Sequence, residues 1–410
     1  MNHERTTNSE PSTKDLSRRD RVPHTVKGAV SIVVLVAAIC WSRAASPHET
    51  VTTTVLFDRE IVGILNRHCV MCHVEKGPSF PLETYEQAWL QRRQMSAAVL
   101  ARRMPPWPAM SGYGRFANEN VVTLRESQFL VSWMEGLGPR NAGKVFTNTS
   151  RSDSPAPQAV RAHSDVEAWP LGQPDLVRDM EAATVEPSSP DDVHRSVIDL
   201  GLSGERWVRA FEYLPGDRRV VRAAVFTVQE TGQWIASWTP WYGFTKLPSS
   251  TAYHLPAGAH LVADVHYRHA GERTVDRGRV GLFLESSAPA TVVSDLVVDA
   301  TREPVVKSGR QRFRAETPLT ADTTLIALRP DAQPGIASIE VSARTPDGGT
   351  DVLLFAKDIP VDWPTPYIFA EPVAVRRGTI LSVTAYLSSG GNAPPPASIH
   401  VNISRTSRTR

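Results

Sequence analysis

Residues Arg67 to His73 read Arg-His-Cys-Val-Met-Cys-His, and the C-x-x-C-H within them constrains this chain more than any other stretch. Two thiols one helical turn apart, followed at once by an imidazole, can hold a flat macrocycle by its edge and ligate the metal at its centre from one side. The pattern predicts one haem c, attached covalently through Cys69 and Cys72, with His73 as the proximal iron ligand. A zinc half-site would need further Cys or His ligands nearby, and a thioredoxin-like pair would need a βαβ setting. The flanks here read as helical instead.

From Phe57 to His68 the apolar residues Ile61, Ile64 and Leu65 fall on one helical face and deliver the two cysteines. A second helical stretch follows Leu82-Glu83-Thr84-Tyr85 and runs toward Arg103. Thr123-Leu124-Arg125-Glu126 is a capping box, after which Phe129, Leu130, Trp133 and Met134 keep helical spacing until Gly138-Pro139. Residues 46–140 are therefore expected to form a small all-α cytochrome c domain.

An iron that only relays electrons needs a sixth ligand from the opposite face. Arg103-Met104-Pro105-Pro106-Trp107 offers the leading candidate, because two prolines hold the preceding methionine in extended backbone. Met104 is expected to be the distal ligand, with Met95 and Met110 as rivals. His68, one turn from His73, is expected to be a neighbour of the haem and not its ligand.

The N-terminus sets the compartment. Arg18, Arg19, Arg21 and Lys27 precede a fourteen-residue apolar run, Gly28 to Trp41, and a polar Ser42-Arg43 follows. The positive flank is expected to stay cytoplasmic and the rest to cross. Fourteen residues are short of the roughly twenty of a full span and suit a signal-peptide core. The long polar segment ahead of them favours an uncleaved signal anchor instead. Residues 1–27 are thus expected to be a cytoplasmic segment and 28–45 a transmembrane signal anchor or signal peptide. The bulk would lie in the periplasm of a bacterial inner membrane. Two of the three cysteines belong to the haem motif, which leaves no disulfide framework, and 45 Lys and Arg against 43 Asp and Glu leave no bulk charge to draw nucleic acid.

Residues 141–168, rich in Ser, Pro and Ala without apolar periodicity, read as a linker. Beyond it come short β-branched or alternating runs: Trp207 to Tyr213, Val220 to Val228, His260 to His269 and Arg279 to Glu285, then Thr323 to Leu328, Ile336 to Ala343, Val352 to Ala356 and Thr379 to Leu387. Pro346-Asp347-Gly348-Gly349 is a hairpin signal. Two antiparallel β-sandwiches, 169–290 and 291–410, are expected, so the chain is multidomain.

Taken with Gly77-Pro78, Phe80-Pro81-Leu82, Thr84-Tyr85 and the closing Trp133, the helical module resembles the cytochrome c module fused to copper type II, ascorbate-dependent monooxygenase-like domains in bacterial exported proteins. The resemblance covers the whole module and implies Met104 as distal ligand. The β-rich region resembles the paired jelly-roll domains of the same enzymes, relatives of the peptidylglycine hydroxylating monooxygenases. It does so through Trp169 to Val177, Leu214-Pro215-Gly216, Leu255-Pro256-x-Gly258, His266-Tyr267 and Tyr367-x-Phe369-Ala370-Glu371-Pro372.

That resemblance implies two copper sites, and the chain departs from both. Where the family has a His-His pair this sequence reads Val221-Arg222-Ala223, leaving only His266 of the first site. Where it has His-x-His, Pro330 is followed by Asp331-Ala332-Gln333, and the last methionine of the chain is Met180, so the expected thioether ligand is missing. Bound copper is accordingly not expected. His254, His260, His266 and His269 cluster in sequence and read as surface and loop residues, since spacing alone shows no converging geometry.

These features together predict a membrane-anchored mono-haem c-type cytochrome acting in electron transfer, not an enzyme, with a copper-less monooxygenase-like body as scaffold or docking surface. Its partners would be periplasmic or membrane redox proteins, including a respiratory or photosynthetic membrane complex in which it is an accessory subunit. An active copper monooxygenase fed by the haem and a purely structural or partner-binding subunit are the alternatives.

Overall fold

In a computed structural model the described residues are 53–141, 169–187, 192–304, 311–331, 333–388 and 396–407. The expected cytoplasmic segment, the anchor and residues 142–168 of the expected linker lie outside them. Among the described residues no helix is long and apolar enough to cross a membrane.

The helical part follows its sequence pattern closely. A π-helical turn, Phe57–Ile61, runs into α1 (Val62–His68), followed by α2 (Tyr85–Leu100) and α3 (Leu124–Glu135). Both longer helices begin in capping boxes, Thr84 with Gln87 and Thr123 with Glu126, so two otherwise orphaned backbone donors are satisfied at each start. Ile61, Leu65, Leu130 and Trp133 are almost fully buried where the three helices meet. Trp133 packs 5.8 Å from Phe57, centroid to centroid, and donates its indole N–H to the Pro139 carbonyl at 2.9 Å. Replacing it with alanine is expected to destabilise this part by about 3–5 kcal/mol, through lost burial and a residual cavity. Denaturant unfolding followed by helical circular dichroism would measure that loss.

The remainder is β-sheet in two packed sets. In the first are β1 (Leu176–Asp179), β2 (Ala183–Val185), β3 (Asp192–Asp199), β4 (Arg206–Leu214), β5 (Val221–Val228), β6 (Trp234–Trp238), β7 (Phe244–Lys246), β8 (Thr251–Leu255), β9 (His260–Tyr267), β10 (Thr274–Asp276) and β11 (Arg279–Glu285). One sheet runs β3-β9-β5-β6 and the other β1-β11-β4-β8, with β7 also on β4 and β2 paired to β10. Inward residues such as Phe211, Phe226, Trp234 and Leu261 fill the space between them. On β9 burial alternates strictly, as a half-buried strand requires.

The second set comprises β12 (Thr291–Arg302), β13 (Arg312–Pro318), β14 (Thr323–Pro330), β15 (Ile336–Arg344), β16 (Thr350–Lys357), β17 (Tyr367–Val375), β18 (Ile380–Leu387) and β19 (Ser398–Ser407). Their order is β17-β14-β19-β12-β13-β18-β15-β16, with β12 meeting β13 only at Thr301 and Arg302. That corner lets the sheet fold over its own core of Val298, Phe313, Leu325, Val341 and Ile399. The expected β-sandwich architecture is present, with one departure from purely antiparallel pairing. Thr291 and Val292 run parallel to Thr251 and Ala252 of β8, because β12 leaves the first set alongside that strand before entering the second.

Candidate cofactor cavity between helices and β body

The end of α1 shapes the C-x-x-C-H turn. Cys69 N–H donates to the Leu65 carbonyl at 2.9 Å, and the N–H groups of Cys72 and His73 both return to the Cys69 carbonyl, at 3.1 and 3.0 Å. One tight turn thus presents both thiols and the imidazole to a common space. That space is a cavity of about 1020 Å³ counted out to its open mouth.

Neither thiol is in a disulfide. Burial pushes both up to about 12. The neighbouring Cys72 adds to this for Cys69, while Arg218, Arg268 and Arg222 partly oppose it for Cys72. They are neutral thiols near neutral pH. Among the described residues no three His, Cys, Asp or Glu side chains gather to hold a metal ion.

His73 Nδ1 donates to the Phe80 carbonyl at 2.9 Å, which fixes the tautomer and leaves Nε2 as the lone pair of a cavity-lining ring. Burial lowers its pKa, keeping it neutral and able to ligate. His68 also lines the cavity, but Asn120 Oδ1 lies 2.8 Å from its Nδ1 and Glu126 Oε1 3.5 Å from its Nε2. Both of its ring nitrogens are therefore engaged.

The three methionines separate by position. Met104 and Met95 line the cavity and Met110 does not; its sulfur accepts a hydrogen bond from Arg102 at 3.3 Å. Met95 is 6% exposed and packed in the helical core, whereas Met104 is 38% exposed. Met104 is thus the methionine with room to move onto a ligand.

Sequence reasoning missed what holds Met104. The segment after it is stitched to the second sandwich: Met110 N–H donates to Phe355 O at 2.8 Å, Lys357 N–H to Pro108 O at 3.0 Å and Ala117 N–H to Ile368 O at 2.7 Å. Trp107, Ala109 and Phe116 enter that sandwich's core. Asn118, 2% exposed, clamps the end by donating to Pro366 O at 2.6 Å and accepting from Ile368 N–H at 3.1 Å. The run expected to belong wholly to the helical domain is therefore a strap anchored on the β body.

The other unforeseen wall comes from the first sandwich. Arg218 to Arg222, Pro240, Trp241 and Arg268 face the cysteines across the cavity, joined by Trp363. Arg222, 5% exposed, pairs with Asp362 and lies 5.3 Å from the Trp363 ring centre. Only the density of arginine in Arg218-Arg219-Val220-Val221-Arg222 hinted at this in the sequence.

The histidine cluster disperses. His254 faces Glu205 at 3.2 Å, His260 faces Glu230 at 3.0 Å, and His266 lies beside the Arg222 guanidinium, its pKa lowered by burial.

No family model and no curated protein matches the chain. Among solved structures, the major capsid protein P2 of bacteriophage PM2 is similar at 7% identity and a TM-score of 0.27, over 55% of this chain and 97% of its own. A Paenibacillus xanthan lyase is similar at 8% identity and a TM-score of 0.19, over 59% of this chain and 27% of its own. Likeness this slight carries no argument about fold or activity.

Proposed function

We propose that the chain is a mono-haem c-type cytochrome that relays single electrons. Cys69 and Cys72 are its thioether anchors, His73 the proximal ligand and Met104 the distal ligand. The observation that carries this reading is the turn that opens two neutral thiols and a tautomerically fixed imidazole onto one largely apolar cavity, with a thioether on its rim. Those donors fit haem c better than any bare ion. Bound haem supplies a one-electron couple, and its potential follows from axial ligands, burial and nearby charge.

The chain's own residues do the rest. The Phe80 carbonyl orients the His73 ring and raises the basicity of Nε2. Leu82, Val99, Val122 and Leu130 line the cavity on the helical side and exclude water. A second ligand from Met104 would fill the sixth position, which suits relay and not oxygen chemistry.

The resemblance to copper monooxygenase-like proteins stands within the same proposal, without its activity. Arg222 occupies a position where the resemblance implies a histidine, and a guanidinium offers no lone pair to a metal. The apolar run at 28–41 supports the anchored, periplasmic placement, and a membrane redox partner follows from it.

Iron and copper analysis of the full-length protein from a host that matures c-type cytochromes, with a reduced-minus-oxidised spectrum, tests the reading. One iron per chain without copper is the expected result; stoichiometric copper would instead favour the monooxygenase. Met104→Ala is expected to keep covalent haem while losing the far-red methionine-to-iron band. Persistence of the band would transfer the role to Met95.

A further inference from the structure

One helix is apolar on both sides. The inward residues of α2, Ala88, Met95 and Val99, pack in the helical core, and Met95 and Val99 also line the cavity. Turned away from them, Leu90, Arg93, Ala97 and Leu100 recur at the three- and four-residue spacing of a single helical face, and all four are exposed. Leu90 is 68% exposed and Leu100 63%. Trp89 widens this row: its indole N–H donates to Leu137 O at 3.0 Å, and Leu137 is itself 52% exposed. Single exposed leucines are ordinary, whereas a row of them along one helix beside an exposed tryptophan marks a surface that meets something.

The border of the row is basic. Arg92, whose guanidinium lies 4.2 Å from the Trp89 ring centre, and Arg93 sit in the helix, and Arg102 and Arg103 follow its end. Glu86 is the one acidic residue of the helix, and Arg140 pairs with it at 3.3 Å. Leucine and tryptophan edged by arginine is the composition of a helix that lies in the plane of an anionic lipid surface, with the indole at headgroup level.

The course of the chain points to the same partner. Thr53, the first of the described residues, holds its Oγ1 2.7 Å from Ser132 Oγ in the last turn of α3, and Leu137 lies just beyond that helix. Ser42 to Thr52, eleven residues, connect Thr53 to the apolar run that ends at Trp41. They reach at most about 40 Å. An anchor in that run therefore tethers the Trp89 end of α2 close to lipid.

We propose that the outward face of α2 rests on the anionic surface of the membrane that anchors the chain. This rests on the anchored placement proposed above. Because the inner face of the same helix lines the cavity, the contact holds the haem pocket about 10 Å, one helix diameter, from the headgroups, where a redox partner in the bilayer can exchange electrons with it.

The test uses full-length holoprotein with Cys40→Ser, labelled with a fluorescent maleimide through Ala97→Cys or, as a reference, through Val297→Cys of β12, whose native side chain is 54% exposed. Each is reconstituted into vesicles of phosphatidylcholine and phosphatidylglycerol with and without a nitroxide on the acyl chains. The nitroxide is expected to quench the Ala97→Cys label several-fold more than the Val297→Cys label, and Arg93→Glu or omission of phosphatidylglycerol to bring the two together. Equal quenching of both labels in protein that floats with the vesicles, or quenching unaltered without phosphatidylglycerol, overturns the proposal; equal quenching leaves the face to a protein partner and the anchored reading intact. Wild-type chain that does not float with the vesicles overturns both.

Discussion

Replacing Cys69 and Cys72 together by serine is expected to abolish covalent haem while leaving the fold in place. A hydroxyl cannot add across a vinyl group to give a stable thioether, so a denaturing gel stained for haem should go from positive to blank. The fold should survive because both thiols face the cavity and neither holds another side chain by a disulfide. A buried hydroxyl costs only about 1–3 kcal/mol where it finds no partner. The single substitution Cys72→Ser should keep one thioether and give a lower yield of holoprotein. Haem stain persisting in the double variant would mean that attachment does not run through this turn. The cysteines would then need another role.

Local pattern carried the helical part well, because each signal there has a short-range cause. The Thr123 and Glu126 capping box, the Ile61, Ile64 and Leu65 stripe and the Gly138-Pro139 stop all act within one or two turns. Gly138 takes φ +63 and sends its N–H to the Trp133 carbonyl at 2.9 Å, the kind of helix ending its sequence position announced. Strands with alternating or β-branched composition, β9 and β11 among them, were equally legible. Less so were β12 and β19, whose Val293 to Thr301 and Ser398 to Thr406 pair across a long stretch of intervening chain. Asp295, Asp299 and Asn402 interrupt their apolar residues, and the alternation is weak without the partner strand in view.

The same distinction divides the candidate site. Cys69, Cys72 and His73 are a contiguous motif, and Met104 is marked by the prolines beside it. The β wall is built by Arg218 and Arg222 before and on β5, Arg268 after β9 and Trp363 before β17, brought together by sheet pairing alone. No window of the chain contains that constellation. Arg222 shows the limit most clearly. As a departure from a copper-binding pattern it reads as a loss, whereas in the structure it is a buried, paired guanidinium facing the cavity that the cysteines open onto. A β body that supplies one wall and also the strap beneath Met104 is part of the proposed haem site as much as a scaffold for it.

Trp107→Ala separates those two roles. Trp107 is 8% exposed, lies 5.4 Å from Tyr367 in an edge-to-face arrangement and 6.1 Å from Phe116, and is the first large side chain of the strap to enter the second sandwich. Truncating it should cost about 3–5 kcal/mol, from lost aromatic burial and the cavity left behind. Because Met104 is only three residues away, the strap's first pin is removed with it. The methionine-to-iron band should weaken or vanish even though neither axial ligand has changed. Met104→Ala makes the opposite pattern: the same band is lost with little change in stability, since that side chain is 38% exposed. Measuring unfolding and the far-red band on both variants gives the decision. If Trp107→Ala loses stability and keeps a full band, the position of Met104 is held by the helical module alone, and the second sandwich contributes nothing to the iron site. If both fall together, the distal ligand is held by the β body.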